Sequence, residues 1–338
     1  MNRTLFVLAG LLAVQVIAAA GLGFARTGIS GPAKETPLVA LAGHPADRIT
    51  IEGPDKAKVV LADAKGTWQL PELGNFPADP ARVKELVDAL SGLKEGLPVA
   101  TTRDAQARFK VSDTDFERRI TLESGGHALG TLYFGTSPSM REIHARRAGQ
   151  SDVYAVQFAS WQMPVKTTDW ENKTLLQIPV KEITAIDVPG IHLVRGDDVS
   201  GMTDASGVKN ASGGKGAKVK ETAWQASGLT AGETLDPKAA DALASSLADL
   251  EFDHVLAGPP SADDGLTAPA LEITVTKRGG ASVVYRIGKA KDGKTYTLKS
   301  SARSEYFALP TYAAEPLIAA AARDKLLGLE PAKVSAKH

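Results

Sequence analysis

The sequence predicts an α+β protein: an N-terminal transmembrane helix followed by two tandem repeats, each a mostly antiparallel sheet with packed helices. Three observations carry this. Leu5 to Phe24 is apolar apart from Gln15. A chain of about this length spans roughly 30 Å as a helix, the thickness of a bilayer core. The segments Ile49 to Leu176 and Ile183 to Leu327 carry the same landmarks in the same order, the signature of a duplicated folding unit. Between the landmarks, short alternating runs are punctuated by Gly, Pro and Asp, the pattern of hairpin-connected strands.

The expected layout is a signal anchor at 1–26, a linker at 27–47, a first repeat at 48–178, a second at 181–328 and a polar tail at 329–338. Arg3 precedes the apolar run and Arg26 follows it. Two readings compete for the run: a signal peptide cut after Ala18-Ala19-Ala20, and an uncleaved anchor. The apolar character continues through Gly21 to Phe24, past any such cut, which favours the anchor. Residues 27–43 hold Gly, Pro and Ser without periodicity and read as a linker.

In the first copy, Arg48 to Glu52 and Lys58 to Ala62 alternate as half-buried strands around a Pro54-Asp55 turn, and Lys65-Gly66 turns into a third strand bearing Trp68-Gln69. Asp79-Pro80 opens a helix, with Asp capping and Pro in the first helical position. Val83, Leu86, Val87, Leu90 and Leu93 give that helix one apolar face. Ala105 to Val111 reads as a brief helix. Strands follow at 117–123, 129–134, 142–146 and 153–158, the second ending in Tyr133-Phe134-Gly135 and the last bearing Tyr154. Residues 158–165 read as a short helix broken by Pro164, and Lys173-Thr-Leu-Leu176 closes the copy.

The second copy repeats the order. Ile183 to Val188 and Ile191 to Arg195 flank a Pro189-Gly190 turn. An insertion, residues 200–221, then intervenes, rich in Gly, Ser and Lys, and reads as a solvated loop. Trp224-Gln225 and Asp236-Pro237 resume the pattern, with Ala240, Leu243, Ala244, Leu247 and Leu250 on the buried helix face. Strands are expected at 271–276, 282–287, 295–299 and 306–309, then an Ala-rich helix at 312–323 and Lys325-Leu-Leu327.

Composition narrows the function classes. A 43% hydrophobic content lets each half bury a core, and 39 basic against 39 acidic residues removes the excess a nucleic-acid binder shows. The absence of cysteine removes disulfides, thiolate catalysis and thiolate metal sites. Gly288 to Thr295 spells the phosphate-loop pattern, yet Tyr296 to Lys299 alternates as a strand where that motif needs a helix. Nucleotide binding is therefore not expected. Ser91-Gly-Leu-Lys94 spells an acyl-enzyme motif, but at a helix end and without its partner motifs. The histidines show no metal-ligand spacing and no strained serine elbow exists. No catalytic, cofactor or metal residue is assigned. Trp68 and Trp224 occupy matching positions and read as core; exposed, they would instead be candidate binding residues for an envelope glycan or peptide.

The anchor, the strand–Trp–Asp/Pro-helix unit, the strand ending in Gly, the tyrosine strand and the closing Lys-x-Leu-Leu together resemble a bacterial domain-of-unknown-function family, number 4340, over residues 48–328 as two copies. Members of that family carry a Tyr-Gly-Leu signature after the helix. Here Arg108-Phe109-Lys110-Val111 stands in the first copy and no clear counterpart in the second. The resemblance implies a single-pass envelope protein with no catalytic residues, its bulk in the periplasm. Relatives are found beside components of gliding-motility-type ABC transporters. The expected function is thus a non-enzymatic accessory or scaffold subunit of an ABC-type transport or envelope complex, with protein partners, the membrane and no nucleic acid or nucleotide. An envelope glycan- or lipid-binding module is the alternative, and a hydrolase with dispersed carboxylates a third reading.

Overall fold

A computed structural model describes residues 36–39, 45–196, 224–258, 264–291 and 293–329. The expected anchor, most of the linker, the insertion at 200–221 and the tail beyond 329 lie outside the described residues. Among the described residues no helix is long and apolar enough to cross a membrane. The chain divides into two compact units: residues up to Gln69 with Pro80–Thr167, and Leu70–Asp79 with Thr168 onward.

The first unit opens with β1 (Arg48–Glu52), β2 (Lys58–Ala64) and β3 (Thr67–Leu70). Lys65 and Gly66 both take positive φ, 59° and 86°, which matches the right-handed twist of a tight hairpin. A short β4 (Phe76–Pro77) belongs to the second unit. Pro80 opens α1 (Pro80–Ser91), whose Val83, Leu86 and Leu90 are buried on one face. After α2 (Arg103–Arg108), capped by Thr102, come β5 (Arg118–Ser124), β6 (His127–Phe134), β7 (Glu142–Arg147) and β8 (Val153–Gln157). Within this unit the strands are antiparallel in the order β3-β2-β1-β5-β6-β7-β8. Alternating Ile49 and Ile51 on β1 and Ile120 and Leu122 on β5 fill the core. Thr36–Val39, expected as linker, runs along the end of α1: Leu38 N–H donates to Leu93 O at 2.9 Å and Glu95 N–H to Thr36 O at 2.8 Å. Leu38 and Val39 are buried. The short helix expected at 158–165 is only a 3₁₀ turn, Ser160–Gln162.

The second unit holds β9 (Ile183–Val188), β10 (Ile191–Arg195), β11 (Trp224–Ser227), β12 (Glu233–Leu235) and α3 (Pro237–Ala248). It continues with β13 (His254–Val255), β14 (Leu271–Lys277), β15 (Ser282–Lys289), β16 (Tyr296–Ser300) and β17 (Tyr306–Leu309). α4 (Thr311–Ala320), α5 (Arg323–Leu326) and β18 (Leu327–Leu329) end it. Its sheet runs β11-β10-β9-β14-β15-β16-β17-β13, and β12 pairs β18 separately. The large sheets are thus antiparallel, with few helices, as an α+β fold requires. The strand order β3-β2-β1-β5-β6-β7-β8 in one unit corresponds to β11-β10-β9-β14-β15-β16-β17 in the other.

Gly135 and Gly288 follow the same logic in each unit. A Cβ on Gly135 would lie 1.9 Å from Phe109 O, and one on Gly288 2.4 Å from Asp264 O. Only glycine lets those backbones pass. The passing segment has a left-handed residue in both cases, Lys110 at φ 52° and Gly265 at φ 74°.

Candidate docking edge

The residues singled out in the sequence disperse. Trp224 is buried; its indole N–H donates to Asp241 Oδ1 at 2.9 Å and Arg195 lies 4.9 Å from its ring centroid. Its surface is spent on packing. Trp68 is half-buried on β3, opposite Asp63 of β2. The phosphate-loop pattern runs from the end of β15 into strand β16, so no helix N-terminus faces it. Its Asp292 lies outside the described residues. Ser91 Oγ donates to Val87 O at 2.7 Å as a helix-end contact. His144 stacks on Phe109 with centroids 4.1 Å apart, His192 contacts Asp187 at 2.5 Å, and His254 contacts Asp253 at 3.0 Å. Among the described residues no group of three metal-ligating side chains converges.

What sequence reasoning missed is a polar ladder across the first sheet. Glu52, Arg119, Tyr133 and Arg146 are direct cross-strand neighbours on β1, β5, β6 and β7. Such pairs interact laterally. Arg119 Nη2 donates to Glu52 Oε1 at 2.6 Å and holds that carboxyl below its ordinary range. Arg146 is 3% exposed and lies 4.6 Å from the Tyr133 centroid. Its guanidinium donates to Val111 O at 2.6 Å, Gln150 O at 2.9 Å and Asp113 Oδ1 at 2.6 Å. Arg146 lowers the Asp113 carboxyl; burial raises the Tyr133 hydroxyl. Each nitrogen of the guanidinium has an acceptor, so Arg146 acts as a strut between sheet and loops. It is not poised for chemistry. The second unit carries the same rung: Arg286 donates to Glu272 at 2.7 Å, and Lys299 sits 4.5 Å from the Tyr306 centroid.

The edge beyond β8 differs from its counterpart beyond β17. Val153 and Tyr306 hold equivalent positions, opposite Arg146 and Lys299. Each accepts from an edge residue: Val99 N–H reaches Val153 O at 2.8 Å, and Leu256 N–H reaches Tyr306 O at 2.9 Å. In the second unit β13 then extends the pairing, His254 opposite Ala308 and Val255 opposite Phe307, with Asp253 N–H donating to Ala308 O at 2.8 Å. β13 is itself covered: buried Glu171 accepts Val255 N–H at 3.1 Å and Lys173 Nζ at 2.9 Å. In the first unit the pairing stops at the Ala100–Val153 bridge. Counting back from Val99 and Leu256, Leu97 and Pro98 correspond in sequence to His254 and Val255, but they form no such pairing. Ala155 and Gln157 are exposed, and their outward backbone groups have no backbone partner among the described residues. Leu97 is 92% exposed and Val99 49% at one end of this edge. Met140 and Trp161 are also exposed, and Glu142, two residues beyond Met140 in sequence, pairs Gln157 at the other end. An unpaired strand edge flanked by exposed apolar side chains is a template for another chain.

The second unit also contains an open groove of about 470 Å³ lined by Glu72, Leu73, Val255, Leu256, Glu305 and Tyr306, among others. Ser304 also lines it and donates to Glu305 Oε2 at 3.3 Å, but Arg303 already holds that carboxylate at 2.6 Å.

The family model described as a domain of unknown function (DUF4340) matches residues 68–269. No curated protein and no solved structure matches the chain.

Proposed function

The chain belongs to the DUF4340 family, and from that premise we propose that it is a non-catalytic, membrane-anchored extracytoplasmic accessory or scaffold protein of an ABC-type transport or envelope complex. The observation that carries the reading is the open β8 edge: large antiparallel sheets present backbone for docking while the titratable clusters are consumed in struts. The apolar run at Leu5–Phe24 would anchor the chain in the bacterial inner membrane, with its bulk in the periplasm. The shared strand order, the paired glycines Gly135 and Gly288, and the Asp-Pro helix starts support a tandem duplication behind the two units.

The test is cross-linking in intact cells, capture of the tagged full-length chain and mass spectrometry. Recovery of an ABC permease with its ATPase is the expected result; recovery of nothing specific would sink the reading. The second reading, an envelope glycan- or lipid-binding module, is favoured by Trp161, exposed at 67%. It expects tryptophan fluorescence to respond to an envelope glycan or lipid, and to lose that response in Trp161→Ala.

A further inference from the structure

We infer that the β8 edge binds an extended segment of a partner protein, added antiparallel to β8 at Ala155 and Gln157, with an apolar anchor against Leu97 and a lysine or arginine at its C-terminal end. The inference rests on the accessory-subunit reading and names the surface and the chemistry that reading needs.

The second unit supplies the template. There the position beyond Ala308 is filled by the chain's own β13, antiparallel to β17. Phe252, just before β13, is buried between Phe76 and Phe307, with centroids 6.0 and 4.7 Å away. Ala155 stands where Ala308 stands, yet nothing among the described residues completes it. The chain approaching from α1 reaches the edge only at Val99, leaving Leu97 outside. β8 reads Val-Tyr-Ala-Val-Gln, with no charge, proline or bulge to discourage addition. Strand addition draws affinity from main-chain hydrogen bonds and specificity from alternate side chains.

Charge sets which end of an antiparallel segment carries the cation. Tyr154 donates to Asp152 Oδ2 at 3.5 Å, and Glu95 bears on the same hydroxyl. Both carboxylates therefore lie at the Val153 end of the strand. A segment antiparallel to β8 brings its C-terminal end there, so a cation at that end is complementary.

The probe is a synthetic peptide with the Phe252–Val255 sequence, which stops short of the position that Val99 fills, and an added C-terminal lysine, tested against the full-length chain by residue-resolved hydrogen exchange. The expected result is saturable protection of the Ala155 and Gln157 amides. Ala155→Pro removes one donor and abolishes the protection of the remaining Gln157 amide; proline is tolerated on an outward-facing edge. Leu97→Glu weakens binding at least tenfold, and omission of the lysine weakens it several-fold. Both substituted residues are exposed, and circular dichroism checks that the variants fold. Unchanged exchange at saturating peptide, or equal protection in Ala155→Pro, would overturn the inference. So would sedimentation showing that a second copy of the chain buries the edge. Capture of transporter subunits without peptide protection defeats this inference alone. Peptide protection without any captured subunit defeats the accessory reading alone.

Discussion

Gly135 carries more of the first unit's stability than its size suggests, because Phe109 O sits where its Cβ would be. Gly135→Ala is expected to cost about 3 kcal/mol or more, since backbone rather than a flexible side chain must move. Gly96→Ala, with nothing within 4 Å and no positive φ, should change stability by under about 0.5 kcal/mol. Urea unfolding of the two variants checks the contrast. Arg146 gives a second contrast. Arg146→Met removes a buried donor, leaves Val111 O and Gln150 O without their partner, and should cost about 2–4 kcal/mol. Asp113→Asn, at a side chain 72% exposed, should cost under about 1 kcal/mol. The Tyr-Gly-Leu signature that the resemblance implies would fall here. Phe109-Lys110-Val111 and Asp264-Gly265-Leu266 occupy the same place against Gly135 and Gly288, each with a left-handed middle residue. Gly265-Leu266 matches the last two letters of the signature, but Asp264 stands in place of its tyrosine and the segment follows a Gly-, Pro- and Asp-rich stretch; the φ angle and the glycine it passes identify it.

At the scale of elements, β12 and α5 are tied by one ion pair. Arg323 donates to Glu233 Oε1 at 3.0 Å, and Thr230 N–H donates to Glu233 Oε2 at 2.7 Å. The Arg323 bond, helped by Thr230, lowers the Glu233 carboxyl from 4.5 to about 2. A carboxyl depressed in the folded state stabilises fully above its unfolded value and loses that contribution as pH falls through the folded one. The second unit should therefore weaken between pH 4.5 and about 2, and Glu233→Gln should flatten that slope in acid unfolding followed by tryptophan fluorescence. Elements with local causes were readable in advance: alternation placed the strands, and Pro80 and Pro237 placed the helix starts. Pairings set by distant chain were not. Asp79 N–H donates to Trp170 O at 2.8 Å and Asp236 N–H to Leu326 O at 2.9 Å. Trp170 thus corresponds to Leu326, so the matched lysines Lys173 and Lys325 are not equivalent. Leu70–Asp79 likewise packs with the second unit although it precedes α1 in sequence. The open β8 edge was invisible for the same reason: it depends on where the chain after α1 first meets Val153.

On the scale of the whole molecule, the proposed role is to hold a partner at an exposed strand edge. The most direct measurement places a photo-cross-linking residue at position 155 of the full-length chain in cells, with position 308 as the comparison. Ala308 is already paired to β13, so it should give little or no intermolecular product. A discrete adduct is expected from position 155, identified by mass spectrometry as a subunit of an ABC-type complex and lost when Leu97→Glu is added. Equal labelling from both positions, or none from 155 while the chain still co-purifies with that complex, would contradict docking through β8.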